Sequence, residues 1–133
     1  TEQTPEILPV TEEATTGTSV STEDSTANEV VVTYSDTGFA PKSVEIGTGG
    51  TVRFVNNSTH TMWVGVDEHP SHTAYDGTST KEHCADGKNM NNSFDQCVAS
   101  APGTVFTYTF TKVGTFDYHN HKNSGDTGTV IVK

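Results

Sequence analysis

Basic residues are scarce: seven Lys plus Arg stand against seventeen Asp plus Glu in 133 residues, a net charge of −10. With no basic patch to neutralise phosphates, nucleic acid is not an expected partner. No apolar run approaches the roughly 20 residues needed to span a bilayer, so no transmembrane segment is expected. The chain has neither an initiator Met nor a signal-peptide h-region, and the expectation is a mature, processed form. Helix-period segments are missing. So are a Gly-rich phosphate loop, a Cys-x-x-Cys pair and a Gly-x-Ser-x-Gly elbow, which removes the common nucleotide, dithiol and serine-hydrolase chemistries.

Cysteine is limited to Cys84 and Cys97, both in a polar stretch rich in Asp, Asn, Gly and Lys. A loop disulfide is the natural reading, and it would place the protein in an oxidising, extracytoplasmic compartment. The alternative is that one of them is a thiolate metal ligand, but neither is followed by a His and a Met at ligand spacing.

What is present divides in two. Residues 1–28 are Thr, Ser and Glu with almost no large apolar side chains. Such a segment cannot bury enough surface to offset its ordering entropy, and it reads as a disordered acidic linker or stalk. Seven acidic and no basic side chains fall in residues 1–29, so most of the net charge belongs to this tail. Residues 29–133 read as one all-β domain. Candidate strands are Val30–Tyr34, Ser43–Ile46, Thr51–Val55, Thr61–Val66, Val105–Thr111, Thr115–Tyr118 and Gly128–Val132, with a turn at Gly47-Thr48-Gly49-Gly50. Alternation is clearest in Phe106-Thr107-Tyr108-Thr109-Phe110, where the aromatics face the core. Residues 67–102 form a connection too long for an ordinary loop, which makes it functional or stapled.

Six histidines in so small a chain point to a metal site, since imidazole suits copper, zinc, nickel and iron. His119 and His121 are two apart at the end of a strand, so both rings can reach the same side. His69-Pro70-Ser71-His72 opens the long loop, with a proline that stiffens the backbone between its rings. Rim histidines that bind nothing are the competing reading for each pair. His60 stands between rim and ligand, Met62 reads as core rather than thioether ligand, and His83 reads as solvent-exposed.

Gly38-Phe39-Ala40-Pro41-Lys42-Ser43-Val44-Glu45-Ile46, then Gly50-Thr51-Val52-Arg53-Phe54-Val55-Asn56-Asn57, and finally Gly128-Thr129-Val130-Ile131-Val132 resemble the cupredoxin family. The resemblance covers residues 29–133 and implies a Greek-key β-sandwich with a long disulfide-restrained loop. Blue-copper members carry Cys, His and Met in the C-terminal loop. Here those positions fall on Asn120, Asn123 and Asp126, so a thiolate centre is not implied. The chain is closer to cupredoxin-domain proteins that pair His-Pro-x-His-Thr with Tyr-His-x-His, and Tyr118-His119-Asn120-His121 also resembles a copper-binding segment of multicopper oxidases. The implied metal ligands are His69, His72, His119 and His121, and the implied cofactor is copper. The expected role is extracytoplasmic copper binding, delivery to a partner protein or electron transfer by a monomer. The alternatives are a copper-dependent oxidase or dismutase and a metal-free interaction sandwich.

Overall fold

The computed structural model describes residues 27–133. The linker expected over residues 1–28 lies outside them, except that Ala27 and Asn28 already belong to the first strand. Strand β1 (Ala27–Ser35) turns tightly at Asp36 and Thr37 into β2 (Gly38–Ala40). The long β3 (Ser43–Asn56) follows, then β4 (Val64–Val66). After the long loop come β7 (Val105–Thr109), β8 (Gly114–Asn120) and β9 (Asn123–Val132).

Strand β3 organises the sandwich. Its first part pairs parallel with β9, Ser43 opposite Thr129 to Ile46 opposite Val132. Its second part pairs parallel with β1 and antiparallel with β7. One layer is therefore β2-β1-β3-β7 and the other β3-β9-β8-β4, sharing β3 where it changes layer. The expected turn at Gly47–Gly50 is instead a bend inside this single strand. Gly49 takes φ +88°, and a Cβ on Gly50 would press on the Gly47 carbonyl oxygen, the Ile46 side chain and the Asn28 carbonyl oxygen. The glycines let the strand kink between layers rather than reverse.

Period-2 patterning fills the space between the layers. Val44, Ile46, Val52, Phe54 and Asn56 of β3 point inward, as do Val32 and Tyr34 of β1 and Phe116 and Tyr118 of β8. Phe54 is fully buried and meets Tyr118 edge-on at 5.2 Å between centroids. Each such ring adds about 1.5–3 kcal/mol over an exposed one. The expected alternation on β7 holds, with Tyr108 and the following Phe110 buried and Thr107 and Thr109 outside.

The long connection is more ordered than its composition suggests. A one-turn helix, α1 (Thr80–His83), is closed by a capping box between Ser79 and Glu82. It leads into the two-residue ladder of β5 (Cys84–Ala85) and β6 (Lys88–Asn89). The Cys84–Cys97 disulfide is formed. Phe94 and Tyr75 drop into the core, and the segment around Phe94 to Ser100 runs along β4, with Val66 N–H donating to the Phe94 carbonyl and Gln96 N–H to that of Val64. The open edge of β4 is thereby covered. Among the described residues no helix is long and apolar enough to cross a membrane.

Candidate metal centre

Three histidine rings converge at one end of the sandwich. His119 lies near the end of β8, opposite Gly65 of β4, and His121 lies in the turn between β8 and β9, its N–H donating to the Trp63 carbonyl. His72 comes from the loop after β4, with φ +55°, a left-handed conformation unusual for a residue with a side chain. Its ring lies flat against Gly65, where any Cβ would overlap it. A glycine at 65 is thus a condition for the ring's position.

The nitrogens that face one another are His72 Nε2, His119 Nε2 and His121 Nδ1. His72 Nε2 is 3.1 Å from each of the other two. Nitrogens bonded to a single ion at about 2.0 Å stand roughly 3 Å apart when adjacent around it, which is the spacing of His72 Nε2 from each of the other two, and all three rings offer a ligand atom within 4.8 Å of one another. His69, the fourth expected ligand, is exposed at the mouth, its ring centroid 4.7 Å from that of His121 and 5.4 Å from that of His119. His60 is elsewhere, exposed beside Asp36. Met62 is fully buried in the core.

Hydrogen bonds behind the rings assign their protons. His72 Nδ1 lies 2.7 Å from Asp95 Oδ2, and His119 Nδ1 lies 2.8 Å from Asp67 Oδ1. An ionised carboxylate only accepts, so both rings carry their proton on Nδ1 and turn a bare Nε2 lone pair toward the other. Such carboxylate–imidazole pairs orient metal ligands and raise their basicity. Burial, followed by the neighbouring imidazoles His72, His69 and His119, lowers His121 to about 4. Burial also lowers His119, against the raising effect of its bond to Asp67. His121 therefore remains neutral and available for coordination in mildly acidic solution, and His119 gives up its proton more readily than a free imidazole.

Asp95 was not legible as a site residue. Oδ2 accepts from His72 and from His83 Nε2 at 2.7 Å, while Oδ1 accepts from Trp63 Nε1 at 2.7 Å and from the Cys97 N–H at 2.9 Å. Burial raises its carboxyl, but the bonds from His72, His83 and Trp63 outweigh that and hold it below the ordinary value. His83, expected in solvent, is fully buried as part of this network. The explanation is α1, which turns the ring inward while Lys81 and Glu82 face water. No spacing rule marks Asp95 or Asp67. The one cue is position, Asp95 two residues before Cys97 and Asp67 two before His69.

His83, Cys84, Asp95 and Cys97 also lie close enough to suggest a second site, but both sulfurs are in the disulfide and no free cysteine remains. No thiolate is available to either cluster. Asn120 is fully buried and engaged, its Oδ1 accepting from the N–H groups of Trp63 and Lys122 and its Nδ2 donating to the Thr61 carbonyl. It ties the turn to the strand rather than binding a metal.

No protein-family model matches the sequence, and no curated protein does. Solved structures do match. The purple cupredoxin of Nitrosopumilus maritimus superposes with a TM-score of 0.56 at 16% identity, over 77% of this chain and 98% of that one. A reduced Cu(I) form of an amicyanin variant gives 0.56 at 17% identity, over 84% and 88%. The copper-containing nitrite reductase of Thermus scotoductus gives 0.56 at 22%, over 79% of this chain and 22% of that much longer one. The chain has a cupredoxin-like fold. On that frame β8 and its turn carry His119 and His121, with a structural asparagine between them.

Proposed function

We propose that this cupredoxin-fold protein is an extracytoplasmic copper-binding protein with a mononuclear, histidine-only, non-blue site, used for copper binding and delivery or for electron transfer. The observation that carries the reading is the meeting of His72 Nε2 and His119 Nε2 at 3.1 Å with both protons committed to carboxylates on the far side. Two lone pairs at that distance repel, and a cation between them removes the repulsion. His72, His119 and His121 would hold the ion, with His69 as the donor at the solvent side. Copper so bound would supply one-electron exchange between Cu(II) and Cu(I). The protein's part is to fix the tautomers through Asp95 and Asp67, to brace His121 with the tilted Trp63 ring, its centroid 4.3 Å away, and to keep Asn120 out of the coordination sphere.

The Cys84–Cys97 disulfide supports an oxidising compartment. Copper rather than zinc rests on the likeness to copper-protein folds, since imidazole serves both metals.

Copper titration followed by electron paramagnetic resonance tests the proposal. The expected result is one equivalent of Cu(II) with a type-2 signal, nitrogen hyperfine structure and no intense thiolate charge-transfer band. His119→Ala and His121→Ala should each lose more affinity than the 10–100-fold typical of losing an outer-shell partner. Failure of the intact protein to retain copper against dialysis sinks the reading. A second reading, a small-substrate copper oxidoreductase, is favoured by His69 being exposed, which leaves a coordination position within reach of solvent. Oxygen or superoxide turnover that disappears in His121→Ala would select it.

A further inference from the structure

Behind His72 the hydrogen bonds continue as a chain. Asp95 Oδ2 accepts from His72 Nδ1 and from His83 Nε2. His83 Nδ1 faces Thr78 Oγ1 at 3.0 Å, and that hydroxyl donates its single proton to Asp76 Oδ1 at 2.6 Å. Asp76 is ionised: burial raises it, but bonds from the Thr78 hydroxyl and N–H outweigh burial, and the charge of His83 lowers it further. The Thr78 oxygen has no second proton to give, so it accepts from His83 Nδ1. Asp95 is also an ionised acceptor, so His83 Nε2 donates as well. Both nitrogens of His83 thus face acceptors, the arrangement that suits an imidazolium. His83 and Asp95 form a salt bridge in which both side chains are fully buried.

We propose that His83 is a positioning residue that sets the redox preference of the copper site, its fixed positive charge cancelling the Asp95 carboxylate behind His72. The inference deepens the proposed histidine-only site and rests on it. A metal-ligating imidazole backed by a bare carboxylate becomes a stronger, more anionic donor and favours the higher-charged ion. Here the same carboxylate is shared with a cation, so it fixes the His72 tautomer without passing its full charge to the ligand. The site then tolerates Cu(I) better than a carboxylate-backed imidazole alone would. Burial makes the arrangement effective, because opposed charges in a dry interior are little screened. Replacement of His83 by a neutral donor keeps the bond to Asp95 and removes only the charge.

His83→Gln is the test, with Cu(I) and Cu(II) affinities measured separately by competition with chelators. The expected result is a Cu(I)-to-Cu(II) affinity ratio about tenfold lower, equal to a reduction potential lower by about 59 mV. Thr78→Val, which takes away the acceptor on Nδ1, should move the ratio in the same direction by less. A merely structural role would weaken both ions alike, and an unchanged ratio in His83→Gln overturns the proposal. Nitrogen-15 NMR of the metal-free wild type needs no variant. Two protonated ring nitrogens on His83 at pH 7, with single Nδ1 protons on His72 and His119, are expected, and a singly protonated His83 overturns the inference. If the wild type binds no copper, the site reading fails on its own, while the NMR result still decides the state of His83.

Discussion

Two polar clusters lie back to back across Asp95, and their atoms fare differently. On the inner side His83, Thr78, Trp63 and the Cys97 N–H each find a partner, and every oxygen of Asp95 is used twice. On the outer side His72 Nε2, His119 Nε2 and His121 Nδ1 face one another with too few protons among them. Both clusters are rich in metal-binding residue types. What separates a structural polar knot from a ligand site is satisfaction, because buried polar atoms that have no partners at home are expected to find one from outside. Breaking the inner cluster should therefore cost folding, and breaking the outer one should cost metal.

Asp95→Ala tests that contrast with the largest effect. It strands a buried imidazolium, the Trp63 N–H and the His72 N–H together, and loss of one partner of a buried ion pair typically destabilises by about 3–5 kcal/mol. Denaturant unfolding of the metal-free protein should show a loss of that size. His121→Ala, which removes a partly exposed ring with no fixed acceptor, should cost about 1 kcal/mol, an average substitution. Equal losses would erase the distinction between the clusters.

The disulfide comes next. Cys84 follows His83 directly and Cys97 donates its N–H to Asp95, so the bridge clamps both halves of the inner knot. With a sequence separation of 13, its removal as Cys84→Ser with Cys97→Ser should cost about 3 kcal/mol. Copper affinity should fall too, since His72 then loses a fixed acceptor. An intact affinity in the double variant would detach the loop from the site.

These two regions also mark how far the sequence could be read. The period-2 runs around Phe54, Tyr108 and Tyr118 identified the sheets because burial on one face imposes alternation directly on the residues. The kink at Gly47–Gly50 reads as a turn in the sequence because glycine permits both and only the pairing partners decide. His119 and His121 were visible through strand geometry, and His72 through its motif. Asp95, Asp67 and His83 were not, because their roles depend on where an irregular loop returns. In that loop Phe94, one aromatic in a polar stretch, locates Asp95 against β4 by filling the core.

Acidity should sharpen the comparison by a smaller amount. His121 is lowered to about 4 and His119 is lowered as well, against an unfolded value of 6.5. Between those values the unfolded chain binds more protons than the folded one, so stability rises with pH and is lost as pH falls from about 6.5 toward 4. The denaturation midpoint of the metal-free protein, followed from pH 7 down to about 4, should decline through this window. His121→Gln should remove part of the slope. A midpoint that stays level or rises on acidification contradicts a neutral outer cluster.

The smallest predicted effect separates two exposed histidines of similar chemistry. His69 stands at the mouth of the outer cluster, within 4.7 Å of the His121 ring by centroid, whereas His60, with 67% of its side chain exposed, stands beside Asp36 at 3.7 Å. An exposed pair of the second kind contributes little, and His60→Ala should leave both copper affinity and the magnetic resonance spectrum unchanged. His69→Ala should weaken copper by about tenfold, less than loss of a convergent ring, since an exposed imidazole must give up rotamer freedom to coordinate. The comparison is decided by the spectrum as well as the affinity. If His69 is a donor, its loss changes the nitrogen hyperfine pattern. If it only crowds His121 and lowers that ring's proton affinity, its loss leaves the pattern intact and moves the pH at which copper is released upward.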